Sequence, residues 1–162
     1  MHIKIVSDKK QIRLIESLAN EIWYEHYIPI IGVDQVEYML KKFQSFKAIS
    51  QQIKDGSLYF LCEHENEPVG YISVNIREKE LFLNKFYVKA THRSKGFGRE
   101  MMVFLEALSE TKGLSKISLT VNINNTESIK AYEALGFVKC GTVIQDIGNG
   151  FFMDDHMMEK KL

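Results

Sequence analysis

The alternation of apolar and polar positions along the 162-residue chain predicts helices and strands in a definite order. A short strand is predicted over Ile3–Val6, and apolar residues at helical spacing predict a helix over Gln11–Trp23. Two further amphipathic stretches predict helices over Asp34–Phe43 and Phe46–Lys54. The aromatic segment between them, Tyr24–Ile31, is predicted to be irregular.

The rest of the chain reads as strands that two helices interrupt. The predicted strands are Leu58–Glu63, Pro68–Ile76, Leu81–Val88, Ser115–Val121, Gly136–Ile144 and Phe151–Met158, and the helices are Arg99–Thr111 and Thr126–Leu135. Because a helix joins Leu81–Val88 to Ser115–Val121, those two strands should be parallel, whereas short turns make the other neighbours antiparallel. The predicted fold class is α/β, with a mixed, mostly antiparallel central sheet flanked by helices.

Composition describes an ordinary globular protein, with 45% hydrophobic and 26% charged residues. No linker-like or repetitive segment breaks the chain, so a single domain over residues 1–162 is expected. The formal net charge is zero, which gives no reason to expect nucleic acid or an anionic membrane as a partner.

Neither a targeting segment nor a metal site is predicted. The first residues contain no apolar signal segment and no long apolar run follows, so no membrane span and a cytoplasmic location are expected. Cys62 and Cys140 stand far apart and the five histidines are scattered, so no metal site is expected. Neither cysteine has the neighbours of an activated nucleophile.

The segment from Val88 to Arg99 combines a strand end, two glycines and three cations immediately before a helix. Gly96 and Gly98 leave room for a ligand, and the helix N-terminus supplies unpaired N–H groups and the positive end of the dipole. Arg93, Lys95 and Arg99 add positive charge. This pattern predicts a pyrophosphate site; the alternative is a glycine turn with solvated basic residues.

Other phosphate-binding motifs do not fit this segment. The P-loop pattern G-x-x-x-x-G-K-[ST] is absent, and Met101 stands where the dinucleotide-binding pattern needs its third glycine.

Arg93-x-x-Gly96-x-Gly98 resembles the [QR]-x-x-G-x-[GA] pyrophosphate loop of the GNAT superfamily of N-acetyltransferases. As in that family, the loop follows a strand, here ending in Phe86-Tyr87-Val88. The resemblance covers residues 69 to 160, and the first 55 residues are similar only in their general pattern of a strand followed by helices.

A second motif lies downstream in the order that the family shows. Asn125-x-x-Ser128-x-x-x-Tyr132-x-x-x-Gly136-Phe137 is similar to the family's N-x-x-[AS]-x-x-x-Y-x-x-x-G-F. The two motifs together identify the chain as resembling a GNAT protein. More weakly, the chain resembles bacterial polyamine-type members of the superfamily.

The resemblance implies a parallel strand pair that splays apart and receives the pantetheine arm of acetyl-CoA. The residues it implies for acetyl-CoA binding are Phe86, Tyr87, Val88, Arg93, Ser94, Lys95, Gly96, Phe97, Gly98, Arg99, Asn125 and Ser128. The strand residues would line the pantetheine and acetyl group, and the loop amides would hold the pyrophosphate. Arg93 and Lys95 would either contact phosphates or stay solvated, and Asn125 would also cap a helix.

Tyr132 matches the family's general acid, and a phenol of pKa about 10 suits protonation of a leaving thiolate. The alternative is a helix tyrosine whose ring is simply packed. Asn84 stands where many family members have a glutamate base, and an amide cannot take that proton. The base therefore stays open among a water chain and four side chains: Glu25, His26, Glu78 and Glu80.

The implied reaction is direct transfer of an acetyl group from acetyl-CoA to a primary amine, with a small metabolite such as a polyamine as the first expectation. A protein α-amine or lysine is an alternative, and so is a non-catalytic acyl-CoA-binding sensor. The aromatic segment from Ile22 to Ile31 would either form an acceptor wall or pack under the sheet edge. The N-terminal helices and the last hairpin are expected to select the acceptor, and that hairpin carries Asp154 and Asp155 near the aromatic pair Phe151-Phe152. Homodimers are common in the family, so a homodimer is possible.

Overall fold

The structure is a computed structural model that describes residues 1–162 as seven strands and six α-helices. The strands are β1 (His2–Ile5), β2 (Leu58–His64), β3 (Glu67–Arg77), β4 (Glu80–Val88), β5 (Lys116–Asn122), β6 (Val138–Gly148) and β7 (Phe151–Lys161). The helices are α1 (Lys9–His26), α2 (Ile28–Ile31), α3 (Val33–Phe43), α4 (Phe46–Lys54), α5 (Phe97–Thr111) and α6 (Thr126–Ala134). None of these helices is both long enough and apolar enough to cross a membrane.

The strands form one sheet in the order β1-β2-β3-β4-β5-β7-β6. β4 and β5 are parallel, whereas β1 with β2, β2 with β3, β5 with β7 and β6 with β7 are antiparallel. Only residues 78 and 79 connect β3 to β4, and a connection that short requires an antiparallel pair. The predicted mixed and mostly antiparallel α/β sheet is confirmed.

The parallel pair is short. Its register runs from Glu80 opposite Lys116 to Phe82 opposite Ser118 and stops there, although both strands continue. Parallel pairing between β4 and β5 is therefore confined to the first residues of each strand.

The chain divides into two compact units. The first unit comprises Met1–Asn75 and Lys85–Met101, and the second comprises Ile76–Asn84 and Met102–Leu162. Fully buried side chains in the first unit include Ile15, Ile22, Ile49, Tyr71 and Ile72, and those in the second include Leu81, Met102, Leu105, Ile117 and Met158. Each unit therefore has apolar residues at its core.

Helix α1 is fixed at its start by a capping box. The Asp8 carboxylate accepts a hydrogen bond from the Gln11 N–H at 2.8 Å, and the Gln11 side chain accepts one from the Asp8 N–H at 3.2 Å. Such a cap stabilises a helix by about 1 kcal/mol.

The prediction of irregular structure over Tyr24–Ile31 is wrong. Helix α1 continues to His26, and α2 follows after Tyr27. Helical spacing lets Trp23 and Tyr27 stack with ring centroids 4.3 Å apart. Pro29 lies in the first turn of α2, where its missing N–H removes no helical hydrogen bond.

Other boundaries also differ from the predictions. Helix α5 begins at Phe97 rather than Arg99, and β7 runs on to Lys161. Strand β6 begins at Val138 because Gly136, with φ of 98°, ends α6 in the left-handed region, and it extends to Gly148 because it pairs with β7 over nearly its whole length.

Strand β3 approaches β4 unusually closely at Gly70. A Cβ atom at this position would lie 2.3 Å from the carbonyl oxygen of Tyr87 and 3.4 Å from the Cα of Val88. Both are backbone atoms, so no side-chain rotation can relieve the contact. Glycine at position 70 therefore sets the path of the last residues of β4.

We expect Gly70→Ala to push the end of β4 away from β3 and to lower the free energy of unfolding by about 1–3 kcal/mol. Urea denaturation measures this change. The control is Gly141→Ala, also within a strand, where the new Cβ would meet only the Met157 side chain, with the sulfur at 3.5 Å. Equal losses in the two variants would contradict the role given to Gly70.

Candidate functional site

The end of β4 passes into a tight loop within the first unit. The Lys89 N–H donates to the Val69 carbonyl at 2.8 Å, which holds the strand end beside β3. A single 3-10 turn, Ala90–His92, follows. Ser94 with φ of 60° and Gly96 with φ of 88° then turn the chain into α5.

The start of α5 offers unsatisfied donors in open space. The first hydrogen bond into this helix is donated by the Glu100 N–H to the Gly96 carbonyl, so the N–H groups of Phe97, Gly98 and Arg99 precede the helical ladder. A Cβ on Gly96 would meet nothing within 4 Å, and one on Gly98 would meet only a Phe86 ring carbon at 4.0 Å.

The side chains of Lys95 and Arg99 are exposed beside these donors. Aligned N–H groups, the positive end of a helix dipole and two cations together suit a pyrophosphate. The residues present therefore fit the phosphate end of the cosubstrate that the sequence resemblance implies.

Arg93 connects the loop to its surroundings. Its Nε donates to the Val88 carbonyl at 3.0 Å, and its guanidinium forms an ion pair with Glu25 of α1 at 3.0 Å. This guanidinium already has partners, which suggests that Arg93 orients the loop through protein contacts. The sequence contains no signal for this pair, because the two residues are 68 positions apart.

The Phe97 side chain is buried and anchors the start of α5. Its ring centroid lies 4.8 Å from that of His64 and 6.0 Å from that of His92. The side chain thus serves packing, which leaves the backbone N–H as the group that a ligand can use.

The strand residues predicted to line the pantetheine, Phe86, Tyr87 and Val88, are each half-buried at the end of β4. The Tyr87 ring packs against Tyr71 at 5.3 Å, Trp23 at 5.9 Å and Tyr27 at 6.3 Å. Part of the aromatic segment therefore packs against the sheet, through Trp23 and Tyr27. This agrees with the alternative of packing rather than with that of an acceptor wall.

The second motif forms helix α6 and its ends within the second unit. The buried Asn125 caps α6, its side chain accepting from the Ser128 N–H at a long 3.4 Å. The predicted capping role of Asn125 is confirmed. Ser128 lies in the first turn and is half-buried.

Tyr132 lies in the last turns of α6 with its side chain half-buried. Its ring meets Phe137 edge-on at 5.6 Å, and its carbonyl accepts a hydrogen bond from the Phe137 N–H at 3.0 Å. The spacing Tyr-x-x-x-Gly-Phe thus builds the helix end, with Gly136 in the left-handed region.

The four side chains left open as bases are placed differently from one another. Glu25 is paired with Arg93, and Glu80 with Lys116 at 3.5 Å. Glu78 is exposed in the β3–β4 turn, and His26 contacts the Tyr27 ring at 4.9 Å. Asn84 is exposed on β4. Two of the four candidates therefore already have cationic partners.

Burial raises the pKa of the Cys62 thiol to about 12. A thiol with that pKa stays protonated near neutral pH and is a poor nucleophile. This agrees with the prediction that Cys62 is not a nucleophile.

Lys85 was missed by the sequence reasoning. It is buried on β4, and its Nζ donates to the Phe43 carbonyl at 2.7 Å, to Gln52 at 3.0 Å and to the Tyr59 hydroxyl. Burial lowers the pKa of Lys85 to about 7. Strand alternation could have found it, because Lys85 shares a face with the buried Leu81 and Leu83.

The chain belongs to the acetyltransferase (GNAT) family, whose pattern it matches over residues 16–137. Among curated relatives, an uncharacterized N-acetyltransferase of Methanocaldococcus jannaschii is 26% identical over 126 residues. That match covers 72% of this chain but only 54% of the relative, so the chain spans about half of that protein's length.

Solved structures show the same fold. The PaiA N-acetyltransferase from Thermoplasma acidophilum, in complex with coenzyme A, has a TM-score of 0.81 at 21% identity over 100% of both chains. A chimeric spermidine N-acetyltransferase that includes Vibrio cholerae sequence has a TM-score of 0.71 at 20% identity, covering 99% of this chain and 96% of its own. These likenesses place the chain in the GNAT fold.

We expect the buried Lys85 to make stability depend on pH. Its pKa is about 7 in the folded protein and ordinary, at about 10.5, in the unfolded chain. Between these values the unfolded chain binds more protons, so the free energy of unfolding should rise with pH, by roughly 1–3 kcal/mol from pH 7 to 9.

Lys85→Met should flatten this rise, whereas the exposed Lys4→Met should leave it intact. Urea denaturation at pH 6.5, 8 and 9.5 measures the three slopes. A rise in Lys85→Met as steep as in the wild type would rule out Lys85 as its source.

Proposed function

We propose that this protein is an acetyl-CoA-dependent N-acetyltransferase that acts on a small primary amine, such as a polyamine. The observation that carries the proposal is the start of α5, where the N–H groups of Phe97, Gly98 and Arg99 precede the helical ladder beside open glycines. Membership of the GNAT family supplies the reaction class.

Acetyl-CoA, when bound, would supply a thioester whose acetyl group passes to an amine nitrogen. The N–H groups at the start of α5 would hold its pyrophosphate, with Lys95 and Arg99 adding positive charge. At the end of β4, the Lys89 N–H is already used by β3. Strand alternation directs the neighbouring Val88 N–H away from β3, which suits it to donate to the thioester carbonyl oxygen.

Tyr132 would act as the general acid. The amine nitrogen forms a bond to the acetyl carbon, the carbon–sulfur bond breaks, and its electron pair stays on sulfur. The Tyr132 hydroxyl gives its proton to that sulfur, and the proton released by the amine goes to a base and later restores the phenol. The products are an N-acetyl amine and a free thiol.

A small cationic acceptor is favoured by two observations. Chimeric spermidine N-acetyltransferases share the fold over nearly the whole chain. Asp155 also places a buried carboxyl group on β7, in keeping with a positively charged acceptor.

We expect thiol release from acetyl-CoA to depend on an added small amine when polyamines, amino acids, aminoglycosides and short peptides are compared. Tyr132→Phe should lower kcat by about 100-fold or more while leaving the KM for acetyl-CoA nearly unchanged, because it removes only the proton. Tyr38→Phe, a half-buried tyrosine on α3, is the control and should remain active.

Release with peptides alone would favour a protein acceptor instead. Binding of acetyl-CoA without release in any mixture would favour a sensor, and unchanged kcat in Tyr132→Phe would reject Tyr132 as the acid.

Glu25→Gln should weaken acetyl-CoA binding by about 2- to 5-fold without changing kcat. The substitution removes the ionic partner of Arg93, and a surface ion pair contributes about 0–1 kcal/mol. Calorimetric titration with acetyl-CoA measures the change. Glu63→Gln, which breaks the ion pair with Lys4, is the matched control. A dissociation constant that moves equally in both variants would argue against a role for the Arg93 contact in shaping the loop.

A further inference from the structure

Strand β5 carries polar side chains along one face. Its polar residues are Ser118, Thr120 and Asn122. They alternate with three buried apolar residues, Ile117, Leu119 and Val121. Parallel pairing with β4 ends at Ser118, so this polar row runs along the part of β5 beyond that pairing.

The polar row faces away from α6 and from the part of α5 that belongs to the second unit. Lys160 of β7 lies opposite Ile117, and its Nζ donates to the Leu135 carbonyl at 2.7 Å and pairs with Glu106 of α5. The face that carries Ile117 is therefore the one beside α5 and the end of α6. Strand alternation places Asp155, five residues before Lys160, on the opposite face.

Asp155 sits beside the polar row and is buried. In the sheet it lies opposite Asn122 of β5 and Val143 of β6, and its exposed fraction is 1%. Its Oδ1 has no hydrogen-bond partner, and neither has the buried Ser118 Oγ. Leaving a buried carboxyl oxygen unpaired is costly, which points to a group that binds there.

We propose that Asp155 binds the ammonium group of the acceptor amine through Oδ1 and accepts its proton. This inference rests on the proposed function and names the base that Asn84 cannot provide. One N–H bond of the ammonium breaks, its electron pair stays on nitrogen for the attack, and the proton moves to Oδ1. After the product leaves, this proton passes to solvent, whereas the second proton, which the nitrogen loses after the attack, restores the Tyr132 phenol.

The surroundings of Asp155 suit this task. Burial and the neighbouring Asp154 raise the pKa of Asp155 to about 6, while a hydrogen bond from Thr120 and the charge of His156 act in the opposite direction. Across the sheet, β5 presents Thr120 and Asn122 and β6 presents Val143, none of which titrates. The carboxyl group is thus ionised above about pH 6 and is a better proton acceptor than an ordinary aspartate.

The test is Asp155→Asn, which keeps the shape and the contact with Thr120 but cannot take the proton. With saturating acetyl-CoA, we expect kcat/KM for the amine to fall by about 100-fold or more and its rise with pH near 6 to disappear. Binding of acetyl-CoA should not change. The matched control is Asp154→Asn, whose exposed side chain lies on the other face; it should change kcat/KM by less than about threefold.

Thermal stability separates this role from a structural one. The pKa of Asp155 is higher in the folded protein than in the unfolded chain, so its contribution to stability is lost as pH rises through the interval from about 4 to 6. Asp155→Asn should therefore melt at an equal or higher temperature at pH 8.

Three outcomes would overturn the assignment of Asp155. These are a kcat/KM within threefold of the wild type, an equal loss in Asp154→Asn, and a loss of stability or of acetyl-CoA binding in Asp155→Asn. A wild-type protein that acetylates no amine would instead overturn the proposed function, and this inference with it.

Discussion

The close approach of β3 to the end of β4 is the constraint on which the proposed phosphate-binding side of the site depends. Glycine at position 70 lets β3 pass beside the Tyr87 carbonyl, and the Lys89 N–H ties the strand end to Val69. Arg93 then bonds back to the Val88 carbonyl. The start of α5 is thus positioned through a short series of hydrogen bonds and close contacts, and its donors face open space because no side chain is present at positions 96 and 98.

Local sequence patterns predict the features that depend on residues close together along the chain. The bounds of α4 were predicted residue for residue, and the strand–loop–helix segment was recognised because glycines, cations and a helix start are neighbours along the chain. The failure at Tyr24–Ile31 has a physical reason. Bulky aromatic residues with a proline read as irregular, but stacking of Trp23 on Tyr27 favours the helical spacing that propensity alone does not.

Long-range partners could not be predicted in this way. Glu25 and Arg93 meet across 68 positions, and Lys85 reaches acceptors on α4, on β2 and at the end of α3. No periodicity encodes such pairs, since they depend on how elements pack after they form. The sequence does indicate that two charged residues occupy unusual positions. Lys85 lies on the buried face of β4, and Asp155 lies on β7 opposite a polar row.

Lys85 and Asp155 are both buried, but only Lys85 has hydrogen-bond partners for all of its polar atoms. The three N–H donors of Lys85 have three acceptors, so its burial is compensated by hydrogen bonds within the protein. Asp155 has an oxygen that the folded chain leaves without a partner. Replacing Lys85 removes a satisfied network, whereas replacing Asp155 removes an unsatisfied group. A buried carboxyl oxygen without a protein partner has more to gain from a ligand than a satisfied ammonium group has, which is why Asp155 is the stronger candidate for contact with an amine.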